Sequence, residues 1–290
     1  MLTLRTMAAA DIPLGMALKE QAGWNQTPAD WQRFLELAPE GCFLAQWQGQ
    51  AAGTAAAFAF GTVGWIAMVL VDRALRGRGI ATRLMEHALA YLDQRHVQTV
   101  RLDATPLGRP VYERLGFTAQ WELTRWEGRE RGIGVVSGRP PITVTECAAL
   151  QLPSPEHFQE LAAVDQQVTG TDRRRLLVCL DRDAPGAARV FVRGDRLCGY
   201  AMLRDGSRAV QIGPAIAMDE EAGQSLLDVA LRQTAPRTVF IDIPEVNLPA
   251  VRWAQLQGLA RQRRLTRMIR GQPIVERPDC FWASSGPEMG

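Results

Sequence analysis

The residues best suited to chemistry stand in VLVDRALRGRGIATRLMEHAL, residues 69–89. An apolar run gives way to Gly77 and Gly79, bracketed by Arg76 and Arg78, and then to Ile80, Leu84, Ala88 and Leu92 at helical spacing. A helix N-terminus exposes unpaired N–H groups and a partial positive charge, so it attracts anions. Glycines remove the side chains that would hold a phosphate away from those amides. Arg76, with Arg73 and Arg78 beside it, can add charge-assisted contacts, and Ala81 keeps the first turn small. The stretch has the makings of a pyrophosphate seat. On these residues alone a tight turn with solvated arginines remains the alternative. A Walker loop is excluded because no lysine follows the glycines, and a Rossmann fingerprint is poorly met because Thr82 stands where its third glycine belongs.

Such a loop needs a strand and a helix to hold it from either side. Residues 11–21 read as a first helix, interrupted by GWNQ. Thr27 as N-cap, Pro28 at the first helical position and Asp30 near the positive end then start a second helix that stops before Pro39. Strands are expected over 42–47, 51–60 and 65–71, and the helix after the glycines buries one face. Residues 97–104 alternate as a strand, residues 110–115 form a short helix ended by Gly116, and 117–126 a further strand. GRERGIGVVSGRPP breaks the pattern and reads as a linker. A faint repeat follows, with QIGPAIA, a helix through Leu226 and Leu227, FIDIP and PAVRWAQLQGLA in the order of the first half, but without the RGRG segment. The organisation expected is a domain over 1–128, a linker over 129–141, a second domain over 142–270 and a tail over 271–290 that packs through Phe281 and Trp282 and then frays.

Bulk properties narrow the classes. A chain of 290 residues favours two domains. A net charge of +2 singles out neither nucleic acid nor a membrane surface as a partner. No apolar run reaches transmembrane length and the N-terminus lacks a secretory pattern. Five scattered cysteines without a CxxC pair point to a reducing cytoplasm, and three unclustered histidines argue against a metal site.

Arg76–Gly77–Arg78–Gly79–Ile80–Ala81 after an apolar strand resembles the coenzyme A motif of the GNAT N-acetyltransferase superfamily, (Arg/Gln)-x-x-Gly-x-(Gly/Ala). TPLGRPVYERLGF, residues 105–117, resembles that superfamily's tyrosine-containing helix and its following Gly-Phe. The resemblance covers residues 4–126. The second half is similar to a diverged copy, as in a tandem subgroup with a degenerate C-terminal domain. The resemblance implies an α/β fold of two tandem GNAT-like domains, each a central, mostly antiparallel mixed sheet with splayed parallel strands flanked by helices.

It also implies acetyl-coenzyme A as cofactor and an acetyl group passed by direct attack to a primary amine of a small molecule or amino acid. Backbone at Val69, Leu70 and Val71 would face the pantetheine and thioester, and Arg76, Gly77, Arg78, Gly79, Ile80, Ala81 and Thr82 would wrap the pyrophosphate. Tyr112 takes the place of the acid that protonates the departing thiolate. Thr105 stands where the family often has an asparagine on the cofactor. The glutamate base frequent in the family is missing from WIAMVLV. Asp103 is a candidate, with a structural carboxylate as the other reading, and the base is left unassigned. The loop GWNQTPADW implies an acceptor wall of Trp24, Asn25, Gln26 and Trp31, joined by Trp65, although two tryptophans fixing the helix pair to the sheet would look the same. Asp219, Glu220 and Glu221 at a helix start would repel a pyrophosphate in the second domain, which is left to close the acceptor pocket, hold a regulatory ligand or stabilise the chain. Other readings are a non-catalytic acyl-coenzyme A sensor and a peptide or protein N-acetyltransferase, and the expected assembly is a monomer or homodimer.

Overall fold

The computed structural model describes residues 1–129 and 150–290. The first half runs β1 Leu2–Thr6, α1 Ile12–Ala22, α2 Pro28–Leu37, β2 Cys42–Trp47, β3 Gln50–Phe60, β4 Val63–Val71, α3 Ile80–Asp93, β5 Thr99–Ala104, α4 Arg109–Arg114 and β6 Thr118–Gly128. The second half runs β7 Leu150–Gln151, α5 Pro155–Thr169, α6 Arg174–Asp183, β8 Arg189–Arg193, β9 Arg196–Arg204, β10 Val210–Ala217, α7 Glu220–Thr234, β11 Val239–Pro244, α8 Leu248–Leu256, β12 Ala260–Gly271 and β13 Phe281–Ala283. The series β10–α7–β11–α8–β12 repeats β4–α3–β5–α4–β6. All but Arg129 of the expected linker lies outside the described residues, as does the start of the second expected domain.

Local chemistry sets the helix ends. Gly23 at φ 68° stops α1. Thr27 caps α2 in a reciprocal box with Asp30, whose carboxylate accepts from the Thr27 amide at 2.7 Å. Helix α3 buries Ile80, Leu84, Met85, Ala88, Leu89 and Leu92, the stripe its spacing predicts.

Among the described residues all thirteen strands join one sheet, in the order β1-β2-β3-β4-β5-β12-β6-β11-β10-β9-β8-β7, with β13 added on β10. Its two parallel joins, β4 with β5 and β10 with β11, are short and lie at equivalent places in the two halves. The halves exchange strands. β12 lies antiparallel between β5 and β6, from Thr266 opposite Ala104 to Gly271 opposite Thr99 on one side. β6 in turn pairs with β11, Gly128 opposite Val239. Burial follows the exchange: Met268 joins the core beneath α3, and Trp126 joins the core beneath α7 and α8. On the opposite face α1, α2, α5 and α6 share one continuous core.

The tail departs from expectation. It packs through Phe281 and Trp282 but does not fray: residues 284–286 and 288–290 are buried. Phe281 and Met289 enter the shared core and Trp282 the core of the second half, so apolar burial outweighs the Gly, Ser and Pro content that reads as loose.

Candidate active site

The site begins where β4 leaves β5. The strands pair only from Val63 opposite Thr99 to Trp65 opposite Arg101. Further along, the β5-facing edge of β4 has no strand partner among the described residues. Side-chain alternation slips at the same place. Trp65, Ala67, Met68 and Leu70 face the shared core, while Ile66, Val69 and Val71 face α3. Ala67 and Met68 thus point the same way, Met68 sits at φ 53°, and the register with β3 shifts between Thr54 and Ala56. This is a β-bulge. Thr54 Oγ1 donates to the Met68 carbonyl at 2.9 Å and holds it.

A cavity of about 640 Å³ opens along the freed edge. Val69, Leu70 and Val71 form one wall, Thr105, Gly108 and Tyr112 another, and Gln21, Ala22 and Trp24 close the side near α1. Arg76, Gly77, Gly79, Ile80, Ala81 and Thr82 form its end at the start of α3. Gly77 and Gly79 hold φ values of 77° and 76°, and a Cβ at either would meet no atom within 4 Å. Glycine is required there by backbone conformation rather than by crowding. Among the described residues nothing accepts from the amides of residues 77–82. The loop is pinned before them: the Asp72 carboxylate accepts from the Ala74 amide at 2.9 Å and from Gln21 Nε2 at 2.8 Å. Those bonds, Gln21's first, hold Asp72 below the usual carboxylate range. Arg76 Nε donates to the Val71 carbonyl at 3.2 Å.

The expected loop residues come together with one correction. The Arg78 guanidinium lies 5.6 Å from the centre of the Trp47 ring and does not line the cavity. Thr105 Oγ1 accepts from the Gly108 amide at 3.2 Å, so it braces the start of α4 and keeps its own proton to donate. Tyr112 lies against Gly108, where a Cβ would stand 2.9 Å from its ring. Burial pushes its phenol up to about 12, which keeps the proton on at neutral pH. Among the described residues that hydroxyl has no hydrogen-bond partner.

A smaller cavity of about 30 Å³ adjoins the first, sharing Trp24, Val69, Asp103, Thr105, Tyr112 and Arg263 with it. Gln26, Ile66, Ala67, Met68 and Leu102 complete the side from the first half, and Leu265, Pro287 and Glu288 come from the second. Trp24 and Gln26, of the loop expected to wall the acceptor, line this cavity. Asn25, Trp31 and Trp65 do not line it. Asn25 ties the halves together, accepting from the Arg208 and Ala209 amides at 3.0 Å each and donating to the Ala209 carbonyl at 2.9 Å. Trp31 is fully buried between α1 and α2, where Gly15 leaves room for its indole. Trp65 faces the tail: its indole donates to the Pro287 carbonyl at 3.3 Å and the Arg267 guanidinium lies 4.6 Å from its ring centre. Asp103 is occupied, with its two oxygens on Arg267 Nε and Nη2 at 2.5 and 3.0 Å. Sequence reasoning missed Met68, Arg263 and Glu288. Burial, then the neighbouring Arg125, pushes Arg263 down to about 10, and its Nε is buried without a partner among the described residues.

The second half closes the equivalent cleft. β10 and β11 pair from Val210 to Ile212. Past that point β13 takes the gap, with Ala283 opposite Ala215 and Phe281 opposite Ile216. The Ser284 amide donates to the Asp242 carbonyl of β11 at 2.9 Å. Asn247 caps α8 and donates to the Phe281 carbonyl at 3.2 Å. Trp282 presses on α7 at Gly223, where a Cβ would stand 2.0 Å from the indole. The start of α7 is capped by Asp219, and Arg193 pairs with Asp219 at 2.9 Å and with Glu221 at 2.6 Å. Among the described residues no group of His, Cys, Asp and Glu is arranged to hold a metal, and no helix is long and apolar enough to cross a membrane.

Comparison with known proteins bears on the family and the fold of both halves. The family model described as acetyltransferase (GNAT) family matches residues 14–117, and one described as acetyltransferase (GNAT) domain matches residues 161–280. An uncharacterized N-acetyltransferase of Bacillus subtilis (strain 168), YitH, is 26% identical over 227 residues, 77% of this chain and 76% of that protein. A putative acetyltransferase from Pyrococcus horikoshii shares the fold at a TM-score of 0.82 and 24% identity, over 100% of this chain and 96% of that one. A tandem GNAT protein from the clavulanic acid biosynthesis pathway shares it at 0.66 and 15% identity, over 95% of this chain and 100% of that one.

Proposed function

The chain belongs to the GNAT acetyltransferase family, and we propose that it moves an acetyl group from acetyl-coenzyme A to the primary amine of a small molecule or amino acid. In this reading residues 1–128 carry the reaction, and 142–270 with the tail complete its walls. The observation that carries it is the row of unpaired amides at residues 77–82, opening on a cavity of about 640 Å³ beside an unpartnered strand edge.

Bound acetyl-coenzyme A supplies the thioester. The chain's own groups do the rest. The amides of residues 77–82 and the Arg76 guanidinium suit a diphosphate. The free edge of β4 at Val69–Val71 offers hydrogen bonds to an extended amide-bearing arm, and a backbone N–H on that edge suits a developing oxyanion. Tyr112 keeps its proton at neutral pH and has no competing acceptor, which suits an acid for the departing thiolate. A small amine is favoured over a peptide because Trp24, Gln26, Pro287 and Glu288 enclose the space beyond the thioester's place.

The test is thiol release on incubation with acetyl-coenzyme A and a panel of alkylamines, amino acids and peptides. Release that depends on a small amine is expected. Calorimetric binding of coenzyme A without release on any of the panel would replace the transferase with an acyl-coenzyme A sensor.

A further inference from the structure

Direct attack on a thioester needs a neutral amine and a destination for the proton it loses, and a lysine-type amine has a pKa of about 10.4. β4 carries no acid for this. Two carboxylates line the cavity of about 30 Å³ next to Tyr112 and the Met68 bulge. Asp103 has both oxygens on Arg267. Glu288 meets one side chain through a hydrogen bond among the described residues: Oε1 accepts from Arg204 of β9, whose other arm holds Asp30 at 2.6 Å. Its Oε2 is buried with no partner among the described residues. Gln26 lines the same cavity, and its Oε1 too is buried with no partner among the described residues. Buried acceptors are rarely left unsatisfied. A group that satisfies both is a donor with more than one N–H, and the available volume is about that of one water or one amine head.

We propose that Glu288, brought by the tail of the second half, and Gln26 of the first form the seat of the acceptor amine, with Glu288 taking the proton the amine loses on attack. This rests on the transferase reading above. An amine that arrives protonated sheds one proton to Glu288 and on to water. Its lone pair then forms the N–C bond, and the C–S pair leaves with sulfur. The second N–H proton passes to Glu288 Oε2, and the thiolate takes the Tyr112 hydroxyl proton. Proton return from Glu288 to Tyr112 through solvent restores both.

The electrostatics agree in direction. Burial raises the Glu288 carboxyl above its ordinary range, Arg204, Arg125 and its own backbone amide oppose that rise, and Asp30 adds to it. Asp103, Tyr112 and Arg263 share its cavity. Turnover therefore rises as pH climbs through the Glu288 titration, because only the carboxylate can accept.

The experiment compares wild type with Glu288→Gln on amines of graded basicity, following thiol release against pH, with coenzyme A affinity by calorimetry as the control. For a strongly basic amine kcat is expected to fall by about a hundredfold or more with coenzyme A affinity unaltered, and the loss should shrink as the amine's own pKa falls. A loss equal for all amines, or none, would overturn the assignment. Gln26→Met removes no ion pair and tests the seat if Glu288→Gln does not fold: about a tenfold rise in KM for the amine is expected, and an unchanged KM overturns it. A wild-type enzyme that releases thiol with no amine would sink the transferase reading and this one together, whereas normal wild-type turnover with an unaltered Glu288→Gln would sink this one alone.

Discussion

Two clefts in this molecule start from the same geometry and end differently. In each half a pair of parallel strands is joined for three residues and then parts. Between β4 and β5 the gap stays open, and residues 72–79 carry the chain to α3 through two left-handed glycines. Between β10 and β11 the gap is filled by Phe281–Ala283, and only Met218 and Asp219 separate strand from helix. The first helix start presents unpaired amides, while the second is capped by Asp219 and faces two acids held by Arg193. Splayed strands alone therefore do not leave an open cleft. The length and bareness of the connection decide whether charge can approach, and a few apolar residues suffice to close the gap.

That contrast can be broken in four ways. Gly79→Glu should have the largest effect. It strains a left-handed position and sets a carboxylate against a diphosphate, and like charges about 4 Å apart at an effective dielectric of about 20 repel by about 4 kcal/mol, on the order of a thousandfold in affinity. Undiminished coenzyme A binding by calorimetry would remove the loop from the cofactor's path. Trp282→Ala should lower stability in urea by about 3–5 kcal/mol while the stoichiometry of coenzyme A stays at one per chain. A second binding event would mean that the plug alone, not the short capped connection, silences the second cleft. Tyr112→Phe should slow turnover about a hundredfold and spare affinity, and unchanged turnover would take the proton-donor role from it. Arg78→Ala should be the mildest, within about 0.5 kcal/mol in both affinity and stability, because its guanidinium rests on Trp47 outside the cavity. A large loss of affinity there would return Arg78 to the phosphate site.

How far the sequence could be read depended on distance along the chain. The glycine loop, the stripe on α3, the Thr27 cap and the placement of Tyr112 on a short helix are local, and each left a spacing or a residue type to recognise. The bulge at Met68 is local too, but WIAMVLV is apolar throughout, so no polar residue marks the slipped alternation. Trp31 reads as a pocket residue until Gly15, in the first turn of α1, is seen to leave the hollow that holds it. The exchange of β6 and β12 was not legible at all. Pairing between strands more than a hundred residues apart imprints only apolar alternation, which any neighbour satisfies. Glu288 stood hidden for the same reason, in a Gly, Ser and Pro-containing tail whose destination is set by Arg204 and Trp65 of distant strands.

The seat of β12 has a consequence for what the chain can lose. Neighbouring strands lie about 4.8 Å apart, so taking one slat from between β5 and β6 leaves a slot about twice that wide in the middle of the sheet. A fragment ending near Gly128 would meet solvent along both lips of that slot and would have to knit them together in a register this molecule never uses. The half whose own cleft is stoppered is therefore no dispensable appendage, for it supplies the batten that keeps the open-cleft half in one piece.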